Sequence, residues 1–286
     1  MKPGQSVDKL LKTNFGKFFI VKVEDLIRQI KLPVPPNRAT THTLIYLTNG
    51  VANMNIGSST YSIHKDECLI VPAGQVFSFS KLDINKGFLC NFHNDLIIGK
   101  FGKKELLKDF EFLSLYGNPQ ISLDKQTSKR THFLLERIFS EYVESGLLHS
   151  DIIQSYFIAL LCELNLSYTP LTNGKLSSAV SITNRFKQLL YTHVKSKHRV
   201  SDYAKLLHIS PNHLNKSVKM ITSKSPTKWI DETLVLEAKV LLHQTDFSIG
   251  EVASEIGIYD SSYFSRLFKK YEKITPQAFR QRIEKS

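Results

Sequence analysis

One helical unit occurs twice in the C-terminal third of the chain, and no other feature constrains the fold as tightly. Val200, Tyr203-Ala204, Leu207, Ile209, Leu214 and Val218 repeat as Ile249, Val252-Ala253, Ile256, Ile258, Phe264 and Phe268. With Ala204 set against Ala253, His208 falls opposite Gly257 and Ser210 opposite Asp260, and the second copy carries one extra residue. The small alanine lets a first helix lie close to a second, and the tight turn follows it. This is the pattern of a short helix, a turn and a helix packed across the first. A single copy fits any helical hairpin; two copies with matched turns point to a pair of helix-turn-helix units.

The punctuation around the repeat agrees. Ser210-Pro211, Ser225-Pro226 and Thr275-Pro276 each set a capping hydroxyl before a proline at the first helical position, where the missing N–H costs nothing. Asp260 is a fourth predicted N-cap. These starts predict helices at about 182–195, 200–207, 211–221, 226–243, 249–256, 261–271 and 276–283. The helix over 226–243 joins the two units and, at 1.5 Å per residue, spans about 27 Å. With the widths of the units, that suits two second helices about one DNA turn, ~34 Å, apart. Trp229, Leu234 and Leu241 read as its core anchors.

Charge locates a partner. The 286 residues carry 38 Lys+Arg against 26 Asp+Glu. Residues 178–286 hold 18 against 10, a surplus of +8, while residues 1–177 hold 20 against 16, a surplus of +4. A basic domain implies a polyanion, either nucleic acid or an anionic membrane surface. The second helix of each unit leaves a polar face: Asn212, Asn215, Lys216 and Lys219 lie opposite Leu214, Val218 and Ile221. Ser261, Ser262, Ser265, Arg266 and Lys269 lie opposite Phe264 and Phe268. Asn bridges adenine N6/N7 and Arg bridges guanine O6/N7, so Asn212, Asn215, Lys216, Ser261, Ser262 and Arg266 are the candidates for base contact. Ser210, His213, Lys219, Lys224, Ser265, Lys269 and Lys270 are the candidates for phosphate contact. A solvated surface face is the plainer alternative for each.

At these residues the chain resembles a known family. Val200–Leu214, Leu236–Leu242, Ser248–Ala253, Gly257, Asp260–Lys270 and Thr275–Arg280 are similar to the DNA-binding domain of the AraC/XylS transcription regulators. The resemblance implies a sequence-specific regulator of double-stranded DNA that most often activates, in which case RNA polymerase is a partner. By position in the motif it also assigns the six base-contact candidates to base-facing sites. Two departures stand out. Ser223 and Lys273 occupy positions where the family usually has glycine, suited to a left-handed helix end. The first reading helix also lacks arginine.

The first part of the chain alternates short β-rich runs with turns. Strands are predicted at 17–23, 42–47, 51–56, 68–71, 76–80 and 87–92, with breaks at Pro33/Pro35/Pro36, Asn49-Gly50, Gly57-Ser58-Ser59, Lys65-Asp66 and Ala73-Gly74. Asn-Gly between two runs signals a hairpin, and the spacing suggests an antiparallel barrel or sandwich. From about Lys103 the period turns helical, with helices at 126–145 and 150–166. The β-rich stretch resembles the cupin-type barrel of such regulators, and the two helices resemble their dimerisation layer, which implies a homodimer.

The expected fold is therefore α+β: a cupin-like barrel with two or three helices over 1–167, a linker over 168–180, and seven helices over 181–286. A small-molecule effector would meet Arg38, His42, Tyr46, Phe77, Phe79 and Phe92, unless these simply fill the barrel. His42, His64 and His93 are isolated, so neither a metal site nor a cofactor is expected, and no nucleophile–base pair or phosphate-binding loop suggests catalysis. A cupin-type enzyme with a nucleic-acid-binding tail remains the alternative from another class. A ligand-independent regulator whose N-terminal half only oligomerises is a third reading.

Composition closes off other classes. With 42% hydrophobic residues, 18 Phe and 11 Tyr, the chain is too apolar to be disordered. No uncharged apolar stretch approaches the ~18–20 residues that span a bilayer. Three cysteines without a CxxC pair fit neither a disulfide framework nor a zinc site. Residues 1–20 lack an apolar signal core, so a reduced, cytoplasmic protein is expected.

Overall fold

The computed structural model describes residues 18–28, 34–79, 85–98, 106–114, 117–170 and 178–284. The chain divides into two compact units, residues 1–34 with 38–171 and residues 35–37 with 172–286. The expected strand ends at Lys17 and Ser80, and residues 171–177 of the expected linker, lie outside the described residues.

The N-terminal part of the chain holds β1 (Phe18–Lys22), α1 (Val23–Ile27), β2 (Val34–Arg38, whose residues 35–37 group with the second unit), β3 (His42–Asn49), β4 (Val51–Ile56), β5 (Ser59–His64), β6 (Glu67–Val71), β7 (Val76–Phe79) and β8 (Lys86–Phe92). Then come the short α2 (Asn94–Ile98) and α3 (Leu106–Asp109), a 3-10 turn at Glu111–Leu113, β9 (Gln120–Ser122), and the long α4 (Lys125–Ser145) and α5 (Ser150–Ser167). The strands form a five-stranded sheet in the order β1-β8-β3-β6-β9 and a four-stranded sheet in the order β2-β7-β4-β5.

Side-chain alternation along the central strands explains how this unit is layered. Leu44 and Tyr46 of β3, Cys68 and Ile70 of β6, and Phe88, Cys90 and Phe92 of β8 share one core with Leu135, Ile138, Phe157, Leu160 and Leu164 of α4 and α5. The intervening residues Ile45, Leu47, Leu69 and Val71 share another core with Ala52, Met54, Ile56 and Ile63 of the four-stranded sheet. A strand buried on both faces reads as a continuous apolar run, which is what Leu44–Leu47 shows.

Three expectations are corrected here. The strands make two open sheets, not a closed barrel. Asn49-Gly50 carries the chain from one sheet into the other instead of closing a paired hairpin, for β3 pairs with β6 and β8 while β4 pairs with β5 and β7. Three strands, β2, β5 and β9, were not anticipated, and each stands at an edge of its sheet. Pro35 and Pro36 lie inside β2, where an edge position tolerates the missing donor. Among the described residues no helix is long and apolar enough to cross a membrane.

Among its described residues the second unit has seven helices: α6 (Ser178–His193), α7 (Val200–Leu206), α8 (Pro211–Thr222), α9 (Pro226–Gln244), α10 (Ile249–Glu255), α11 (Ser261–Glu272) and α12 (Pro276–Glu284). The starts follow the predicted caps. Ser210 accepts from the His213 N–H, Ser225 from the Lys228 N–H, and Asp260 from those of Ser262 and Tyr263. Thr275 accepts from the Ala278 N–H. Ser248 and Glu251 form a reciprocal capping box on α10. Each such cap contributes about 1 kcal/mol.

Candidate nucleic-acid interface

The two helix-turn-helix units are built by the same local devices. Each short helix ends in a left-handed residue, His208 at φ 57° in the first and Gly257 at φ 81° in the second. The next residue returns its amide to the matched alanine: the Ile209 N–H donates to the Ala204 carbonyl at 3.0 Å, and the Ile258 N–H to the Ala253 carbonyl at 2.8 Å. Helices α8 and α11 then follow with the same sequence of buried and exposed positions over 211–223 and 261–273. Leu214, Ser217 and Val218 are buried in one, and Phe264, Leu267 and Phe268 in the other. Both helices end in left-handed residues without glycine, Ser223 at φ 56° and Lys273 at φ 65°. The turn is thus kept, and the strain of a side chain there is accepted.

Both units and the joining helix α9 share one core, in which Tyr203, Leu214, Ile230, Leu234, Val252 and Phe264 are all buried. Trp229 anchors α9 to the end of α8 through its Nε1–H, which donates to Thr222 Oγ1 at 3.0 Å. Lys187 lies 4.8 Å from the centre of the Trp229 ring, and Lys224 5.3 Å. Burial, reinforced by the charge of Lys224, lowers the Lys187 amine to about 8.

The sequence-predicted residues take distinct places on this scaffold. Asn212, His213, Lys216 and Lys219 are exposed on α8, as are Ser261, Ser262, Arg266, Lys269 and Lys270 on α11. The capping hydroxyl of Ser210 is exposed too. Asn215 and Ser265 are half-buried, and Asn215 Nδ2 donates back to the Pro211 carbonyl at 3.1 Å. Lys224 turns away from the ridge to pair with Glu232 at 2.9 Å, and Lys270 approaches Asp231 at 3.5 Å. On α8 and α11 the exposed cationic side chains without a carboxylate partner among the described residues are Lys216, Lys219, Arg266 and Lys269. Sequence reasoning passed over Tyr263, an aromatic that is 47% exposed. Its register with His213, already implied by matching Leu214 to Phe264, was the signal that marks it as surface.

The effector-pocket candidates do not converge. Tyr46 and Phe92 face the helical layer, whereas Phe77 and Phe79 pack against the core between the sheets. Phe77 and Phe79 stand apart because they belong to β7 of the four-stranded sheet, while Tyr46 and Phe92 lie on the helix-facing side of β3 and β8. Tyr46 is enclosed, with its hydroxyl 2.9 Å from Ser128 Oγ, and burial pushes its pKa up to about 12. His42 stacks on Phe92, accepts the Ala73 N–H at Nδ1 and meets Asn94 Oδ1 through Nε2. Burial brings its pKa down to about 4. Arg38 Nη1 donates to the Gly74 carbonyl at 2.6 Å. His64 pairs with Glu67 and His93 with Asp95, and no three metal-binding side chains come together among the described residues.

Two helix-turn-helix units on one core define a class of protein, the double helix-turn-helix DNA-binding domain. Residues 203–282 match the family model described as a helix-turn-helix domain. The Msm operon regulatory protein of Streptococcus mutans is 32% identical over 126 residues, 44% of each chain. The arabinose operon regulatory protein of Salmonella typhimurium is 24% identical over 162 residues, 54% of each chain. YisR of Bacillus subtilis, an HTH-type transcriptional regulator, is 24% identical over 179 residues, 62% of this chain and 60% of its own. These matches span less than two thirds of each relative's length. Among solved structures, ToxT from Vibrio cholerae with an unsaturated fatty acid bound aligns with 94% of this chain and 96% of its own, at 15% identity and a TM-score of 0.46. The C-terminal unit is an AraC/XylS-type helix-turn-helix DNA-binding domain.

Proposed function

We propose that the chain is a sequence-specific transcription regulator that lays α8 and α11 into successive major grooves of one duplex face. The observation that carries this is the shared burial pattern of the two helices, which leaves each with one polar, basic ridge. Asn212, Asn215, Lys216, Ser261, Ser262 and Arg266 read base edges. Ser210, His213, Lys219, Ser265 and Lys269 hold phosphates, with Lys224 and Lys270 reaching DNA only by leaving their carboxylate partners. Asn215 must likewise release the Pro211 carbonyl. At about 1.5 Å per residue, α9 spans roughly 28 Å, in keeping with readers one helical turn apart.

The finer reading is an activator working as a homodimer with RNA polymerase as its downstream partner. Exposed Phe133, Val143, Leu148 and Leu166 on α4, α5 and their connection supply apolar surface for a second copy. A small apolar effector would enter between the sheets, where Ile27, Tyr61, Phe77, Phe79 and Leu89 are only partly buried.

Binding to a duplex selected from a random pool tests the reading. Arg266→Ala is expected to cost about 1–3 kcal/mol and to relax preference at one base pair. Lys219→Ala is expected to weaken all sequences alike and reduce the salt slope by about 0.9. A footprint covering a single major groove per subunit refutes the two-reader arrangement.

A further inference from the structure

Resting on that reading, we propose that Tyr259 is a DNA-positioning residue, its ring packed on a deoxyribose at the lip of the major groove and its hydroxyl donating to a phosphate. The structure identifies Tyr259 as the one residue by which the two units differ in length. The left-handed residues His208 and Gly257 correspond, as do Ile209 and Ile258, whose amides return to Ala204 and Ala253. The caps Ser210 and Asp260 correspond as well, and Tyr259 alone has no counterpart.

Its setting is rigid on both sides. Ile258 before it is buried in the core, and Asp260 after it is tied to the Ser262 and Tyr263 amides at 2.9 and 3.0 Å. Yet its own side chain is 89% exposed. With its backbone held on both sides, an inserted tyrosine has only its two side-chain torsions left to order on binding. Tyrosine there offers an apolar face and a polar tip, which suits a sugar–phosphate edge.

Electrostatics gives the position a task. The first residues of a reading helix meet the groove, and phosphates commonly dock on the free amides of a helix start. At α8 the cap is the neutral Ser210 hydroxyl, so a phosphate approaches without repulsion. At α11 the cap is the Asp260 carboxylate, which occupies two of the amides and repels a phosphate. An uncharged hydroxyl projecting one residue upstream supplies the backbone contact that this helix start lacks. Contacts to sugar and phosphate set register and affinity without reading sequence.

The test uses the full chain and the duplex selected from a random pool by the wild type, beside an unrelated duplex of equal length, at several salt concentrations. Tyr259→Ala is expected to weaken both duplexes about tenfold with an unchanged salt slope, since no cation is removed. Tyr259→Phe is expected to keep the ring's share and lose about threefold. Neither substitution should move the thermal midpoint of so exposed a site. Wild-type affinity for Tyr259→Ala beside a weakened Arg266→Ala overturns the role of Tyr259 and leaves the DNA reading standing. Loss of promoter output with affinity intact overturns it in favour of a protein-facing residue. If Arg266→Ala and Lys219→Ala are also without effect, the DNA reading itself falls.

Discussion

Gly257→Ala is expected to disrupt the second unit far out of proportion to one methyl group. Gly257 sits at φ +81°, and a Cβ built there lies 2.0 Å from the Lys195 carbonyl oxygen and 3.0 Å from His198 Cε1. Holding an L-residue in the left-handed region costs about 1–2 kcal/mol. The carbonyl must also retreat by roughly 1.4 Å to go from 2.0 Å to ordinary contact at 3.4 Å, and it belongs to backbone that cannot rotate away. Overpacking of this kind adds about 1–3 kcal/mol, for a total near 2–5 kcal/mol. His208→Gly is the control, because His208 occupies the equivalent turn at φ 57°. Relief of left-handed strain there is offset by the greater freedom of glycine in the unfolded chain, leaving a change of about 0.5 kcal/mol or less. Urea unfolding followed through Trp229, the single tryptophan, reports on this unit. A Gly257→Ala stability within about 0.5 kcal/mol of wild type, at unchanged m-value, refutes the close-approach argument.

Other outcomes follow from side chains that hold one element to another. Arg280 donates to the carbonyls of Phe247 at 2.5 Å, Leu242 at 3.4 Å and Thr245 at 3.5 Å, closing the end of α9. Arg280→Ala should lower the stability of the C-terminal unit by about 2 kcal/mol in the same tryptophan assay, and Arg280→Lys should recover only part of it. His42 is held neutral by burial, its pKa lowered from 6.5 to about 4, so the unfolded chain binds its proton first as pH falls. Its contribution is complete above about pH 6.5 and lost as pH drops through about 4, worth about 3 kcal/mol. Calorimetry of the first unit should show this decline, and His42→Gln should flatten it; an unchanged pH profile in the variant counts against the assignment. Tyr46→Phe should destabilise the same unit by about 1–2 kcal/mol, because it strips a partner from buried Ser128 and half-buried Asp66. A thermal midpoint unchanged by Tyr46→Phe contradicts that account.

The strands that escaped the sequence were the edges. β3, β6 and β8 are buried on one or both faces, so their apolar runs stand out against the turns. β5 is exposed at alternate positions, β2 contains two prolines, and β9 has three residues. β2 and β9 are ordered by pairing with strands distant in the chain, which leaves little trace in their own residues, whereas β5 is folded onto β4 by the Gly57-Ser58 turn and lacks an apolar run of its own. The same limit governed the pocket. Periodicity sorted Phe77 and Phe79 onto one face, but it carried no information on whether Tyr46 and Phe92 shared it. On α8 and α11 the apolar stripe and its polar complement lie within a few residues of each other, so the exposed ridge was legible from spacing alone.

What the sequence by itself determined was everything local: the caps, the helix starts, the matched turns and the two polar ridges, because each depends on neighbours within about four residues. Tertiary structure decided the rest. It opened the expected barrel into two sheets, since hydrogen-bond partners far apart in the chain set sheet closure. It withdrew Lys224 from the ridge, because Glu232 lies about two turns into the next helix. And it showed that Tyr259, the extra residue that the matches of Ile209 to Ile258 and Ser210 to Asp260 already mark, stands 89% exposed beside a buried Ile258.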